Sequence, residues 1–149
     1  MLHANVNIRR ACCALPLIAI ALPTTGCNSS GPEVYPVSGK VVYPDGSPMP
    51  EGMVEFEAME GEFSGRNARG VIQTDGTFVL TTQEPDDGAV AGRHRAIVRE
   101  PYRNLGFNEE GPPPLIDPLF ARYETSGLEF TVKEEKNYIE IEVNKPGKG

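Results

Sequence analysis

The stretch Leu128–Val143, LEFTVKEEKNYIEIEV, contains two runs of alternating apolar and polar residues with a charged segment between them. Alternation with a period of two is typical of strands that have one buried face and one exposed face. The charged segment Glu134–Asn137 has the composition of a hairpin tip. The stretch therefore predicts two strands joined as a hairpin.

The same pattern extends back to Val34 and is interrupted by residues that favour turns. Pro44–Gly52 is one such turn, and Asp75-Gly76 between two β-rich runs is the strongest hairpin signal in the chain. Together the runs predict an all-β fold, an antiparallel β-sandwich of seven strands, with a small barrel as the alternative. The predicted strands cover residues 37–43, 54–58, 70–73, 77–82, 93–100, 128–132 and 138–143.

Several of these segments together resemble the transthyretin-like, carboxypeptidase-regulatory-type β-sandwich. Val37–Val41 with the turn Asp45–Pro50 is similar to the opening of that family, and Thr74–Phe78 and Ala91–Val98 resemble two later motifs. The closing strand pair, together with an N-terminal leader that ends at Cys27, also resembles small lipoproteins of planctomycete-type bacteria. The matching residues of the strand pair are Ser126, Leu128, Val132 and Asn137. The resemblance implies an accessory module without catalytic residues.

The first 26 residues have the order of a secretory signal. Met1–Arg10 is polar and ends in two arginines, Ala11–Pro23 carries no charge, and Thr24–Gly26 is small. The uncharged run is too short for a membrane-spanning helix, which needs about 20 apolar residues.

Gly26 directly before Cys27 resembles the cleavage site of bacterial lipoproteins, in which the cysteine thiol receives a diacylglyceryl group. Thr24 stands where that pattern usually has Leu, so an ordinary secretory signal and a buried N-terminal helix remain as alternatives. We expect cleavage between Gly26 and Cys27, with Cys27 as the lipid anchor. The expected segments are then a signal peptide (1–26), a tether (27–33), the β-sandwich domain (34–145) and a disordered tail (146–149).

Charge and cysteine content restrict the function of the domain. From Cys27 onward the chain has 12 basic and 21 acidic residues, a net charge of −9, which disfavours nucleic acid as a partner. No cysteine follows Cys27, so we expect neither a disulfide nor a thiolate metal site in the domain. No cofactor is predicted.

Few residues of the domain suggest chemistry. His94 is the only histidine after the leader, and alternation places it on the inward face of its strand. Asp86-Asp87-Gly88 and Glu109-Glu110 lack the spacing of a calcium loop and are interpreted as solvated turns.

Two pairs of glutamates and one basic row lie on predicted strand faces. Glu55 with Glu57, and Glu140 with Glu142, are expected on solvent-exposed faces, although such pairs can act as acid and base. The basic row contains Arg93, Arg95 and Arg99. We expect it to form surface ion pairs with glutamates; unpaired, it would suit an anionic partner such as an acidic glycan.

These features predict a non-catalytic binding or structural module, lipid-anchored in the cell envelope and facing the periplasm or the exterior. Its partner, an envelope protein or a glycan, is expected to contact the loops, chiefly residues 101–126. One alternative is a hydrolase or another enzyme that uses surface carboxylates and His94. Another is a subunit of a larger envelope assembly.

Overall fold

The computed structural model describes residues 31–104, 106 and 110–147, and this part of the chain is all-β. The predicted signal segment, Gly26 and Cys27 lie outside the described residues. Nine strands and a single 3-10 helix, Pro118–Ala121, occur in the described ranges. The strands are β1 (Val34–Tyr35), β2 (Val37–Val42), β3 (Gly52–Ala58), β4 (Asn67–Ile72), β5 (Thr77–Val79), β6 (Ala89–Val90), β7 (Gly92–Arg99), β8 (Leu128–Val132) and β9 (Asn137–Glu142).

The strands divide among three sheets instead of closing into one. A four-stranded sheet has the order β4-β3-β7-β8, a three-stranded sheet has the order β5-β2-β9, and β1 pairs with β6. Seven strands were predicted, and each predicted segment overlaps a strand of the two larger sheets. The count is nonetheless wrong, because β1 and β6 are additional strands of two residues each.

The predicted hairpin at 128–143 is wrong. β8 pairs with β7 in the four-stranded sheet, whereas β9 crosses to the three-stranded sheet and pairs with β2. The β2–β9 pair is parallel, so the expectation of purely antiparallel pairing also fails. The charged segment is therefore a connection between sheets, and Asn137 fastens it by donating hydrogen bonds to the carbonyls of Lys133 and Glu135.

The turn at Asp75-Gly76 forms, but its two strands separate. Gly76 has a φ of +84°, the left-handed conformation that glycine adopts without strain. Backbone hydrogen bonds join the two sides of the turn, between Gln73 and Thr77 and between Arg69 and Thr81. Between these points β4 pairs with β3, and β5 pairs with β2, so this turn also carries the chain from one sheet to the other.

One hydrophobic core draws buried side chains from both larger sheets. Phe56 and Val98 contribute from the four-stranded sheet, and Phe78 and Ile141 contribute from the three-stranded sheet. Alternation predicted these inward positions, and the structure confirms them. Gly39 lies where β2 approaches its neighbours most closely, since an added Cβ would lie 2.0 Å from the carbonyl oxygen of Ile139.

Candidate functional site

The chain enters and leaves the described domain at opposite ends. Near the start of β2, Pro36 accepts a hydrogen bond from the N–H of Asn137. At the other end of β2, the N–H of Val143 donates to Val42. We call these regions the entry end and the exit end. A six-residue strand separates them by about 20 Å.

His94 is a buried structural residue. Its side chain is 1 % exposed, its ring centroid lies 6.0 Å from that of Phe56, and its Nδ1 lies 3.1 Å from the carbonyl oxygen of Gly92. Burial lowers the pKa of His94 below its ordinary value, because desolvation disfavours the charged imidazolium, and the contact with Gly92 only partly offsets this effect. The inward position predicted for His94 is confirmed.

Glu55 is buried, although it was expected on a solvent-exposed face. It is 4 % exposed, and three donors surround its carboxylate. Nε of Arg69 donates to Oε2 at 2.7 Å, while the hydroxyl of Tyr123 at 2.8 Å and Nδ2 of Asn67 at 3.2 Å donate to Oε1. A buried carboxylate needs such donors to replace lost water, and hydrogen bonds to ionised groups are the stronger ones.

Tyr123 lies between this carboxylate and a second ion pair. Arg95 donates to Glu57 from Nε at 3.1 Å and from Nη2 at 2.6 Å, and its guanidinium carbon lies 4.7 Å above the centre of the Tyr123 ring. Burial, the hydrogen bond to Glu55 and the charges of Glu55 and Glu57 together raise the pKa of Tyr123 well above its usual range. We call Glu55, Glu57, Asn67, Arg69, Arg95 and Tyr123 the outer-face cluster.

The outer-face cluster holds part of the 101–126 connection against the four-stranded sheet. The 3-10 helix in this connection begins after Asp117, which is its N-cap and accepts from the N–H of Leu119 at 3.0 Å. The helix packs against β7. Ile97, which shares the arginine face of β7, is fully buried. The connection after residue 115 thus covers part of the outer face of the four-stranded sheet.

The basic row is largely paired, as expected. Arg93 contacts Glu129 at 2.9 Å and Arg95 contacts Glu57 at 2.6 Å. The ion pairs found in the described ranges do not include Arg99. Because the Arg93–Glu129 pair is more than half exposed, it contributes little to stability.

Asp87 organises the loop between β5 and β6. Its carboxylate accepts from the backbone N–H groups of Thr82, Gln83 and Glu84 at 2.6–2.9 Å. Burial alone would raise the pKa of Asp87, but these three hydrogen bonds together outweigh it and lower the pKa. The pair Asp86-Asp87 therefore includes a loop-ordering residue, which is more than the solvated turn expected. Glu109 lies outside the described residues, and Glu110 is exposed.

Two of the open grooves on the surface of the described residues have both apolar and charged lining residues. One of about 490 Å³ follows the turn between β4 and β5 and is lined in part by Met53, Val71 and Val79. The other, of about 400 Å³, lies at the exit end between Tyr43, Arg103, Lys145 and the prolines 112–114. Near it, the carboxylate of Glu100 accepts from the backbone N–H groups of Leu115 and Ile116, which orders the segment beside the prolines.

Sequence reasoning did not identify the three donors to Glu55 or the role of Glu100. Ile97 was the available signal, because an isoleucine within a row of arginines indicates that something covers that face.

Among the described residues, no group of three or more His, Asp or Glu side chains is arranged to hold a metal ion. No helix in residues 31–104, 106 and 110–147 has the length and hydropathy needed to cross a membrane.

Comparison with known proteins gives no relative for this chain. No family model matches the sequence, and neither a curated protein nor a solved structure matches it.

Proposed function

We propose that this protein is a non-catalytic binding or structural module of the cell envelope, attached to a membrane by a lipid on Cys27. The observation that carries the non-catalytic part is the state of the candidate catalytic groups. His94 is buried against Phe56, and the carboxylates of Glu55 and Glu57 are engaged by donors that hold the outer face together. His94, Glu55 and Glu57 thus make contacts that stabilise the fold, which supports the non-catalytic interpretation, whereas Glu140 and Glu142 are exposed on β9.

We also propose that the two larger sheets form a transthyretin-like β-sandwich. The shared core, to which residues such as Phe56 and Ile141 contribute, supports this arrangement. In such a scaffold, loops and strand edges are the surfaces left for a partner.

Attachment is proposed from the sequence of the leader and is consistent with the entry end of the domain. Gly31 lies beside the side chain of Gln83, at the same end as Pro36. Gly31 is the fourth residue after Cys27, and an extended chain spans at most about 3.6 Å per residue. A lipid on Cys27 would therefore keep Gly31 within about 14 Å of the lipidated residue.

The deciding experiment is the intact mass of the protein from the membrane fraction of a bacterial host. The wild type should begin at Cys27 and carry the added mass of acyl chains, and Cys27→Ala should lack that mass and the cleavage. Cys13→Ala is the matched control, because it removes a cysteine on the other side of the cleavage site and should behave as the wild type. An unmodified thiol on the mature wild type would contradict the proposal.

A subunit of a larger envelope assembly is the second candidate function. It is favoured by large hydrophobic side chains exposed on the strands, among them Val71, Val79 and Tyr138.

A further inference from the structure

One edge of β9 has no neighbouring strand among the described residues. In the three-stranded sheet β9 is terminal, with β2 as its neighbour. The N–H of Asn137 donates to Pro36, the residue before β2, and the N–H of Val143 donates to Val42 at the end of β2, at 2.9 Å each. Alternate residues of a strand direct their peptide groups to opposite edges, so those of Tyr138, Glu140 and Glu142 face away from β2. Among the described residues, no strand pairs with these three residues, and the edge is bounded at the exit end, where the N–H of Asp117 donates to the carbonyl oxygen of Asn144 at 2.9 Å.

The side chains at this edge indicate what kind of strand would fit. On the outer face Tyr138, Glu140 and Glu142 are exposed, with Tyr138 at 68 %. Lys40 lies opposite Glu140 on β2 and offsets part of its charge, whereas Glu142 lies opposite the uncharged Val42. The outer face of the edge is therefore acidic and includes an exposed aromatic ring.

The inner side of the same edge is apolar. Ile139 and Ile141 of β9 are buried in the core. Leu128 and Phe130 of β8, the terminal strand of the other sheet, are only partly buried against the same core. A strand added to β9 would direct every second side chain toward this region.

We propose that the β9 edge binds an extended segment of another envelope protein in which Lys or Arg alternates with aliphatic residues. The backbone of this segment would pair with Tyr138, Glu140 and Glu142, as in other cases of strand addition. Its basic side chains would face the two glutamates and the ring of Tyr138, which attracts cations. Its aliphatic side chains would cover Leu128 and Phe130. The envelope location of this partner rests on the proposed function, whereas the pairing of a basic strand with the β9 edge does not.

A second copy of the chain fits this edge poorly. Self-pairing of β9 centred on Glu140 would place that carboxylate against its own copy, and like charges directly opposite each other destabilise a strand pair. The acidic row therefore discourages pairing between copies, a common protection of exposed edges, and at the same time favours a basic partner.

The test uses a fluorescent synthetic peptide of alternating Lys and Val, with binding followed by anisotropy at low salt. We expect it to bind the full chain, and amide exchange at Tyr138, Glu140 and Glu142 should slow when it does. The double variant E140K/E142K should weaken binding about tenfold or more, because mutating charges at an interface removes complementarity. E62K/E84K is the matched control with the same change of net charge on exposed loops, and it should bind more tightly than E140K/E142K.

A second pair of measurements leaves the protein unchanged. A peptide of alternating Glu and Val should not bind, and the Lys/Val peptide N-methylated at every residue should bind weakly, since it keeps the charge and loses its backbone donors whichever way the added strand runs. Equal binding by the methylated peptide, or equal binding by the two double variants, would show nonspecific charge attraction and overturn the proposal. Binding weaker than a Kd of about 1 mM for the unmodified Lys/Val peptide would overturn it as well.

Discussion

The hydroxyl of Tyr123 donates a 2.8 Å hydrogen bond to Oε1 of Glu55, a carboxylate in the middle of the four-stranded sheet. The two residues belong to distant parts of the chain, since Tyr123 follows the 3-10 helix and Glu55 lies on β3. This bond fastens the connection over the sheet and supplies one of three donors to a buried charge. We expect the outer-face cluster to unfold together with the sheet.

Removing the Tyr123 hydroxyl should destabilise the fold measurably. Tyr123→Phe keeps the ring under Arg95 but leaves Glu55 with one donor fewer, at a cost of about 2 kcal/mol in the free energy of unfolding. Urea denaturation at neutral pH measures this difference. Tyr138→Phe is the control, because its hydroxyl is on an exposed ring and its removal should cost almost nothing. Equal stabilities for the two variants would show that the Tyr123–Glu55 bond makes no net contribution.

His94 should make stability depend on pH in the mildly acidic range. Its pKa is lowered in the folded state, so as pH falls through about 6.5 the unfolded chain binds a proton that the folded chain does not. The stability that depends on a neutral His94 is therefore complete above about pH 6.5 and is lost as pH falls toward the lowered folded pKa. His94→Leu should remove this part of the slope. The idea fails if denaturation curves between pH 7 and 5 give about the same slope for both proteins.

Asp87 should act in a more acidic range. Its folded pKa lies below the unfolded value of about 3.9, so its contribution is complete above that pH and is lost as pH falls through the folded pKa. Asp87→Asn, which cannot accept all three backbone bonds equally well, should be less stable than the wild type at neutral pH. The gap should narrow at strongly acidic pH. Asp86→Asn provides the comparison, because its side chain makes none of these three bonds, and a gap independent of pH would contradict the assignment.

The buried positions of the strands could be predicted from alternation alone. Phe56, Val98 and Ile141 lie inward because strand side chains alternate, and that rule does not depend on which strands pair. The pairing itself was not predictable in the same way. Leu128–Val132 and Asn137–Glu142 alternate identically whether they form a hairpin or belong to two sheets, so a charged segment between them gave the wrong answer.

The burial of Glu55 also could not be predicted from the alternation of apolar and polar residues. Its position correctly indicates the outer face of β3, but a face is solvated only if nothing covers it. The cover comes from residues after 115, in a proline-bearing connection with no period of its own, and its contacts depend on the tertiary fold. The candidate functional residues at the leader, Gly26 and Cys27, are in contrast a matter of sequence alone and stay predictions.

The pairing of β2 with β9 places one of the first strands beside the last one. Val37 is hydrogen-bonded into a ladder with a strand that begins at Asn137, so this sheet cannot be completed while the final strand is still missing. A chain that crosses a membrane starting from its N-terminus would hold β2 with β5 but without β9 until residues 137–142 have crossed. The long separation of β2 and β9 along the chain thus delays completion of this sheet.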